Sequence, residues 1–279
     1  MHTGPVPDLL ENPRSARVKT LAKLARRDAR TETGTFLLEG PQAVAEALRW
    51  RPELVLELFV TPTALERYGA LAQAVDEADV EVEYATEAVV AAMSDTVTPQ
   101  GVVAVCRQFP TSVKDVFSPR DGAPAPRLVA ILEEVRDPGN AGTIIRAADA
   151  AGADAVVITG RSVDLYNPKV VRSTTGSLFH LPVAVGVELP AVLERCREGG
   201  LQVLAADVKG RDLPEVRAEG LLSQPTAWLF GNEARGLTDD DLARADDVVV
   251  VPIYGQAESM NLATAASVCL YESAFAQRS

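Results

Sequence analysis

Val18, Leu21, Leu24 and Ala25 recur at three- and four-residue spacing behind Ser15, which predicts an amphipathic helix capped by that serine. The pattern then alternates between extended and helical periods. Strands are predicted over residues 35–40 (TFLLEG), 54–60 (LVLELFV), 80–85 (VEVEYA) and 101–107 (GVVAVCR). Helices fall between them, over residues 41–50 and around 64–75 and 88–93. Residues 1–107 therefore read as a small α/β unit. Residues 108–127 contain the run SVKDVFSPRDGAPAPR, whose Pro, Gly and charge content predicts a linker. Beyond it, LVAILEE, AVVIT, PVAVGV, QVLAAD, TAWLFG and DVVVVP are almost continuously apolar and separated by helical stretches. Strands of that kind belong to a parallel sheet covered on both faces, so residues 128–279 form a second α/β domain.

Composition narrows the class. The chain has 279 residues, 47% hydrophobic and 24% charged, as a globular protein has. No apolar run reaches the eighteen residues that a membrane span needs, and no secretory leader pattern opens the chain. Cys106, Cys196 and Cys269 are scattered and far from any histidine, so they read as reduced thiols and no metal site is expected. The expected location is the cytoplasm.

The net charge of −12 argues at first against a nucleic-acid partner. Its distribution changes that reading. Arg14, Arg17, Lys19, Lys23, Arg26, Arg27 and Arg30 stand against the single acid Asp28, a local charge of +6 that leaves −18 on the rest of the chain. A basic element on an acidic body suits phosphate contacts, and a solvated helix face is the alternative.

Three segments after strands carry candidate chemistry. DPGNAGTIIRAADAAGA leaves LVAILEE and opens a helix; Gly139 and Gly142 permit close backbone approach, and Asn140 offers donor and acceptor there. Arg146 follows on that helix, either in a pocket or solvated. LFGNEARGL ends a strand in Gly231, Asn232 and Glu233, which suits a ligand loop or a turn. In VVVPIYGQAESMNLATAASVCLYES, Ser259 and Asn261 precede a long helix and could be caps alone. Each segment by itself leaves both readings open.

Taken together and in this order, NAGTIIR (140–146), FGNEARG (230–236) and VPIYGQAESMN (251–261) resemble the motifs of the SpoU (TrmH-like) group of the SPOUT superfamily. VRSTTGSLFHLPV (171–183) is a fourth, weaker match. Val251 stands for a more usual Ile and Met260 for a more usual Leu; both remain apolar. The N-terminal part resembles the substrate-binding extension of the same group.

That resemblance implies a C-terminal parallel-sheet domain closed by a trefoil knot, preceded by a small α/β substrate-binding domain, and a homodimer. It implies an S-adenosyl-L-methionine-dependent RNA methyltransferase acting on a ribose 2′-hydroxyl, with large-subunit (23S) ribosomal RNA expected as the substrate. Transfer RNA, methylation of a base nitrogen, and an inactive RNA-binding homologue are the alternatives. Carried over by motif, Phe230, Gly231, Asn232, Val251, Ile253, Met260 and Leu262 would hold the cofactor. Asn140, Arg146, Glu233, Ser259 and Asn261 would face the nucleotide. An arginine stays protonated at any accessible pH, so Arg146 is expected to pair with phosphate and the forming oxyanion rather than act as a base. His180 is expected beside the strand PVAVGV and outside the site.

Overall fold

The computed structural model describes residues 9–117 and 125–279. The chain divides into two compact units, Met1–Phe109 with Tyr166–Phe179, and Pro110–Leu165 with His180–Ser279.

In the first unit, strands β1 (Thr35–Glu39), β2 (Val55–Val60), β3 (Glu83–Tyr84) and β4 (Val102–Arg107) form one sheet in the order β1-β4-β2-β3. β1 and β2 run antiparallel to β4, with Phe36 opposite Cys106 and Val60 opposite Val102. The opening helix Ala16–Ala22 is capped as its sequence requires: the Ser15 hydroxyl accepts from the Val18 N–H at 3.3 Å. Its Val18 and Leu21, with Leu24 of the 3-10 turn Lys23–Ala25 that follows, pack with Leu37, Phe59, Val89, Met93 and Val103 in one apolar cluster. The helix expected near 64–75 is two helices, Pro62–Arg67 and Gly69–Ala78, because Tyr68 between them leaves helical geometry.

Tyr166–Phe179 joins this unit although it lies far along the chain. The Tyr166 ring sits 4.7 Å from Phe36 and its hydroxyl accepts from the Phe109 N–H at 2.7 Å, while Phe179 stacks on Phe109 at 5.5 Å. Gly176 makes the approach possible: at φ +100° it lies against Glu46, where any Cβ would collide with that side chain.

In the second unit, β5 (Leu128–Glu133), β6 (Ala155–Thr159), β7 (Val183–Val187), β8 (Gln202–Asp212), β9 (Thr226–Phe230) and β10 (Asp247–Val250) form a wholly parallel sheet in the order β10-β8-β9-β5-β6-β7. β5, β6 and β9 are buried on nearly every residue, as sheets covered on both faces require. Helix Leu189–Glu198 supplies Val192 and Leu193 to one core. Trp228, fully buried in β9, donates its indole N–H to Ser273 at 2.9 Å and ties the C-terminal helix Leu262–Gln277 to the sheet. β8 runs farther than QVLAAD suggested and shifts register against β10, with Gly210 lying so close to Val248 and Val249 that a Cβ would meet their backbone at 2.5 Å.

The expected linker is only partly extended. Val113–Phe117 is a helix, and Val116 packs into the core of the second unit; residues 118–124 lie outside the described residues. Val113, Val116 and Phe117, three and four residues apart around Lys114 and Asp115, were the apolar signal that the Pro and Gly content obscured.

Candidate active site

The three motif loops leave the carboxyl ends of β5, β9 and β10, on the side where open α/β sheets hold ligands. β5 and β9 are neighbours, so the loops at 134–140 and 231–237 meet directly. The first loop becomes helix Pro138–Ala150, begun by Pro138 at its first turn and by Asp137, whose carboxylate accepts the Asn140 N–H at 2.8 Å. The second loop needs its glycines. A Cβ on Gly231 would fall 2.6 Å from the backbone of Gly236, and Gly236 itself holds φ +67°.

Glu233 binds the first loop through its carboxylate. Its two oxygens accept the backbone N–H groups of Asp137 at 2.9 Å and Arg136 at 3.2 Å, and Oε1 also accepts from the Asn140 side-chain amide at 3.4 Å. Asn140 Oδ1 in turn accepts from Asn261 Nδ2 at 2.9 Å. Asn261 caps the C-terminal helix by accepting the Thr264 N–H at 3.2 Å. Asn232 closes its own turn by accepting the N–H groups of Ala234 and Arg235, and donates to the Glu134 carbonyl at 2.8 Å. Thus Asn140, Glu233 and Asn261, 93 and 121 residues apart from the first, form one hydrogen-bonded chain.

Beside this chain lies a cavity whose wall includes Phe230, Asn232, Glu233, Val251, Ile253, Ser259, Met260 and Leu262. Gly231 does not line it; the residue is buried against Gly236 and Leu237, so its part is to bring strand end and loop together. Arg146 stands six residues beyond Asn140 on the same helix, about 9 Å along its axis, with an exposed side chain. Ser259 is exposed on the wall. Seven wall residues were not anticipated: Gly236, Val249, Val250 and Ala265 within or beside the motif segments, and Ala206, Asp207 and Val208 at and just past the end of QVLAAD. The end of the run QVLAAD was the available signal for Ala206–Val208, although β8 itself continues through them.

The wall is apolar along Phe230, Val249, Val251, Met260 and Leu262 and acidic or amide-bearing at Asp207, Asn232 and Glu233. That combination suits a ligand with an apolar face and hydroxyl donors, such as a nucleoside. His180 lies elsewhere, its Nδ1 2.7 Å from Asp149 near the far end of helix Pro138–Ala150. Burial raises all three thiols, Cys196 and Cys269 to about 12, so none supplies a nucleophile at neutral pH. Glu133, between the sheet and the loops, is also held above its usual range, first by burial and then by Asp241, Glu134 and Glu188, against a hydrogen bond from Thr159.

The basic segment sorts itself in the first unit. Arg30 is buried, and its guanidinium donates to the Leu24 and Ala25 carbonyls at 2.8 and 2.7 Å. It closes the short 3-10 turn there and cannot reach a partner in solution, contrary to its expected RNA contact. Arg17 is engaged by Glu57 and Glu83 and lies over the Phe59 ring, and Arg26 pairs with Asp28. Arg14, Lys19, Lys23 and Arg27 are exposed and form no ion pair among the described residues.

The model of the SpoU rRNA Methylase family matches residues 127–271, and that of the MRM3-like substrate binding domain matches residues 15–104. The chain is 34% identical over 271 residues to the 23S rRNA (guanosine(2553)-2′-O)-methyltransferase RlmP of Bacillus subtilis, covering 94% of this chain and 97% of that one. It is 31% identical to the 23S rRNA (uridine(2479)-2′-O)-methyltransferase of Streptomyces viridochromogenes, over 90% of this chain and 86% of that protein. Among solved structures, an RNA 2′-O ribose methyltransferase superimposes with a TM-score of 0.79 at 30% identity, over 97% and 99% of the two chains. The SpoU methyltransferase AviRb of Streptomyces viridochromogenes in complex with AdoMet does so with 0.77 at 29% identity, over 95% and 99%. No helix of the described residues is long and apolar enough to cross a membrane.

Proposed function

We propose, for a chain that belongs to the SpoU rRNA methylase family, that it transfers a methyl group from S-adenosyl-L-methionine to a ribose 2′-hydroxyl of large-subunit ribosomal RNA. The observation that carries this reading is the chain Glu233–Asn140–Asn261 beside a largely apolar cavity, in an enzyme family whose named relatives act on 23S rRNA. S-adenosyl-L-methionine, when bound, supplies a methyl carried on a sulfonium. Met260, Leu262, Val251 and Ile253 offer it apolar walls, and Asn232 and Phe230 close the loop side.

The protein's own task is to hold the hydroxyl in line and to stabilise charge as its proton leaves. Asn140 is oriented from both ends, by Glu233 and Asn261, which fixes its amide for a nucleotide ligand. Arg146 remains a cation and pairs with the neighbouring phosphate and the forming 2′-oxyanion, while phosphate or water takes the proton. Ser259 provides a hydroxyl on the same wall. The exposed Arg14, Lys19, Lys23 and Arg27 dock RNA phosphates from the first unit. The enzyme works in the cytoplasm as a homodimer, and the knotted path of its family belongs to this reading.

Mapping 2′-O-methylated positions in 23S and transfer RNA from cells with and without the gene tests it. Loss of one 2′-O-methyl in 23S rRNA is expected. Loss confined to transfer RNA, or of a base methyl, overturns the assignment.

A further inference from the structure

We propose that Arg136 and Arg235 form a two-pronged anchor for one RNA backbone phosphate at the polar edge of the site, with Glu134 setting their spacing. The proposal rests on the reading that the substrate is RNA.

Glu134 is the pivot. It follows β5 in the left-handed region, at φ +49°, a conformation a glutamate adopts only when its surroundings impose it. Here its carbonyl is held by Asn232 Nδ2 at 2.8 Å, and its carboxylate, 18% exposed, takes both guanidinium groups. Arg136 Nη2 lies 3.2 Å from Oε2, and Arg235 Nη2 bonds the same oxygen. The two arginines reach it from different motif loops, 99 residues apart in sequence.

Their main chains are fixed by site residues. The Arg136 N–H donates to Glu233 at 3.2 Å, and the Arg235 N–H donates to Asn232 Oδ1 at 3.3 Å. The side chains remain 58% and 56% exposed. Each guanidinium has five N–H donors and Glu134 occupies one nitrogen of each, so most donors stay open to solvent. The cluster carries a net +1 beside the Glu233–Asn140 chain, on a protein of net charge −12. Two planar cationic forks converging beside one carboxylate suit a phosphate, whose oxygens accept paired bonds from both. A surface ion pair kept for stability alone would contribute little at such exposure and would not require a left-handed residue to form it.

The test compares wild type with the double variants Arg136→Gln/Arg235→Gln and Arg136→Lys/Arg235→Lys, using an unmodified 23S rRNA transcript across a KCl series and separate titration with S-adenosyl-L-methionine. The Gln pair is expected to lower the salt slope of log affinity by about 1, for one shared phosphate at roughly 0.7–0.9 per contact. KM for the transcript should rise about tenfold while kcat falls less than about threefold, with cofactor affinity within about twofold. The Lys pair should restore the slope and recover KM only in part, because a point charge lacks the planar fork. An unchanged slope and KM in the Gln pair, with wild type active, overturns the anchor. So does a loss of cofactor affinity at unchanged RNA slope, which would assign the pair to the cofactor's carboxylate. Wild type that neither binds nor methylates the transcript fails the RNA reading itself, and the anchor with it.

Discussion

The side-chain amide of Asn261 donates to Oδ1 of Asn140 at 2.9 Å, while its own Oδ1 accepts the Thr264 N–H at the start of the C-terminal helix. One residue thus serves as helix cap and as orienting partner across 121 residues of sequence. Cap and site cannot be separated by sequence pattern, since Asn suits both. They can be separated by substitution.

Asn140→Ala should lower methylation by roughly 10²–10³-fold, the scale for a preorganised polar group at developing charge, with little loss of stability because Asp137 still caps its helix. Asn261→Ala should lose activity and also about 0.5–2 kcal/mol of stability with the cap. Asn261→Asp keeps the cap acceptor but turns an acceptor toward Asn140 Oδ1, so activity should fall at near-normal Tm. Single-turnover methylation beside thermal unfolding reads these apart; an Asn261→Asp enzyme of full activity would sink the orienting role.

Arg146→Ala should leave cofactor binding within a few-fold and lower methylation by at least ~100-fold, as removal of a charge partner of an oxyanion does. Arg146→Lys should also fail, since one ammonium cannot make paired contacts with phosphate and oxyanion. Near-normal turnover in either variant contradicts the assigned part.

In the basic segment, Lys19→Gln/Lys23→Gln/Arg27→Gln should weaken RNA binding and flatten the salt slope by up to about two to three units. Arg30→Gln should act on stability instead, because it leaves the buried Leu24 carbonyl and the part-buried Ala25 carbonyl without their donor. Filter binding and thermal unfolding of the two proteins should give opposite patterns. A basic face that is only solvated would leave the slope of the triple variant unchanged.

Glu133 sets a pH dependence of stability. Its carboxyl is held above the ordinary 4.5 by burial and by neighbouring acids, so the folded state binds the proton more tightly than the unfolded chain. Stability from this group is therefore present at pH below about 4.5 and is lost as pH rises through the folded value. Glu133→Gln, which can still accept from Thr159, should raise Tm at neutral pH and remove that part of the decline. Identical Tm-against-pH curves for variant and wild type would refute the assignment.

The C-terminal helix carries the dimer prediction. Leu270 is fully buried inside the unit and Val268 is half-buried; the open aromatic pair is Tyr271 and Phe275, 5.6 Å apart. Light scattering at micromolar concentration should give twice the monomer mass, and Phe275→Glu should shift it toward the monomer. A monomer with full activity excludes the homodimer.

Much of the architecture was legible along the chain because burial on both faces of a parallel sheet leaves unbroken apolar runs, and all six runs from LVAILEE to DVVVVP are strands. Ser15 and the face Val18–Leu21–Leu24 were legible because capping and helical spacing are local. Asn140, Glu233 and Asn261 could be named from their motifs. Their mutual bonds could not, because these depend on β9 lying beside β5 and on the C-terminal helix returning to the first loop.

Composition by itself determined that one short segment concentrates positive charge; only the tertiary structure decided which of its seven cations face solvent. Arg30 is turned inward onto carbonyls of its own segment and Arg17 is drawn to acids from two strands, and neither fate can be read from charge, since the first depends on how the segment folds and packs and the second on carboxylates from elsewhere along the chain. The same holds for Tyr166–Phe179: Phe36 and Phe109 become its neighbours only once the chain has folded back on itself. Local geometry is written in neighbouring residues, whereas contact across a hundred residues is set by which surfaces the folded elements leave to be covered.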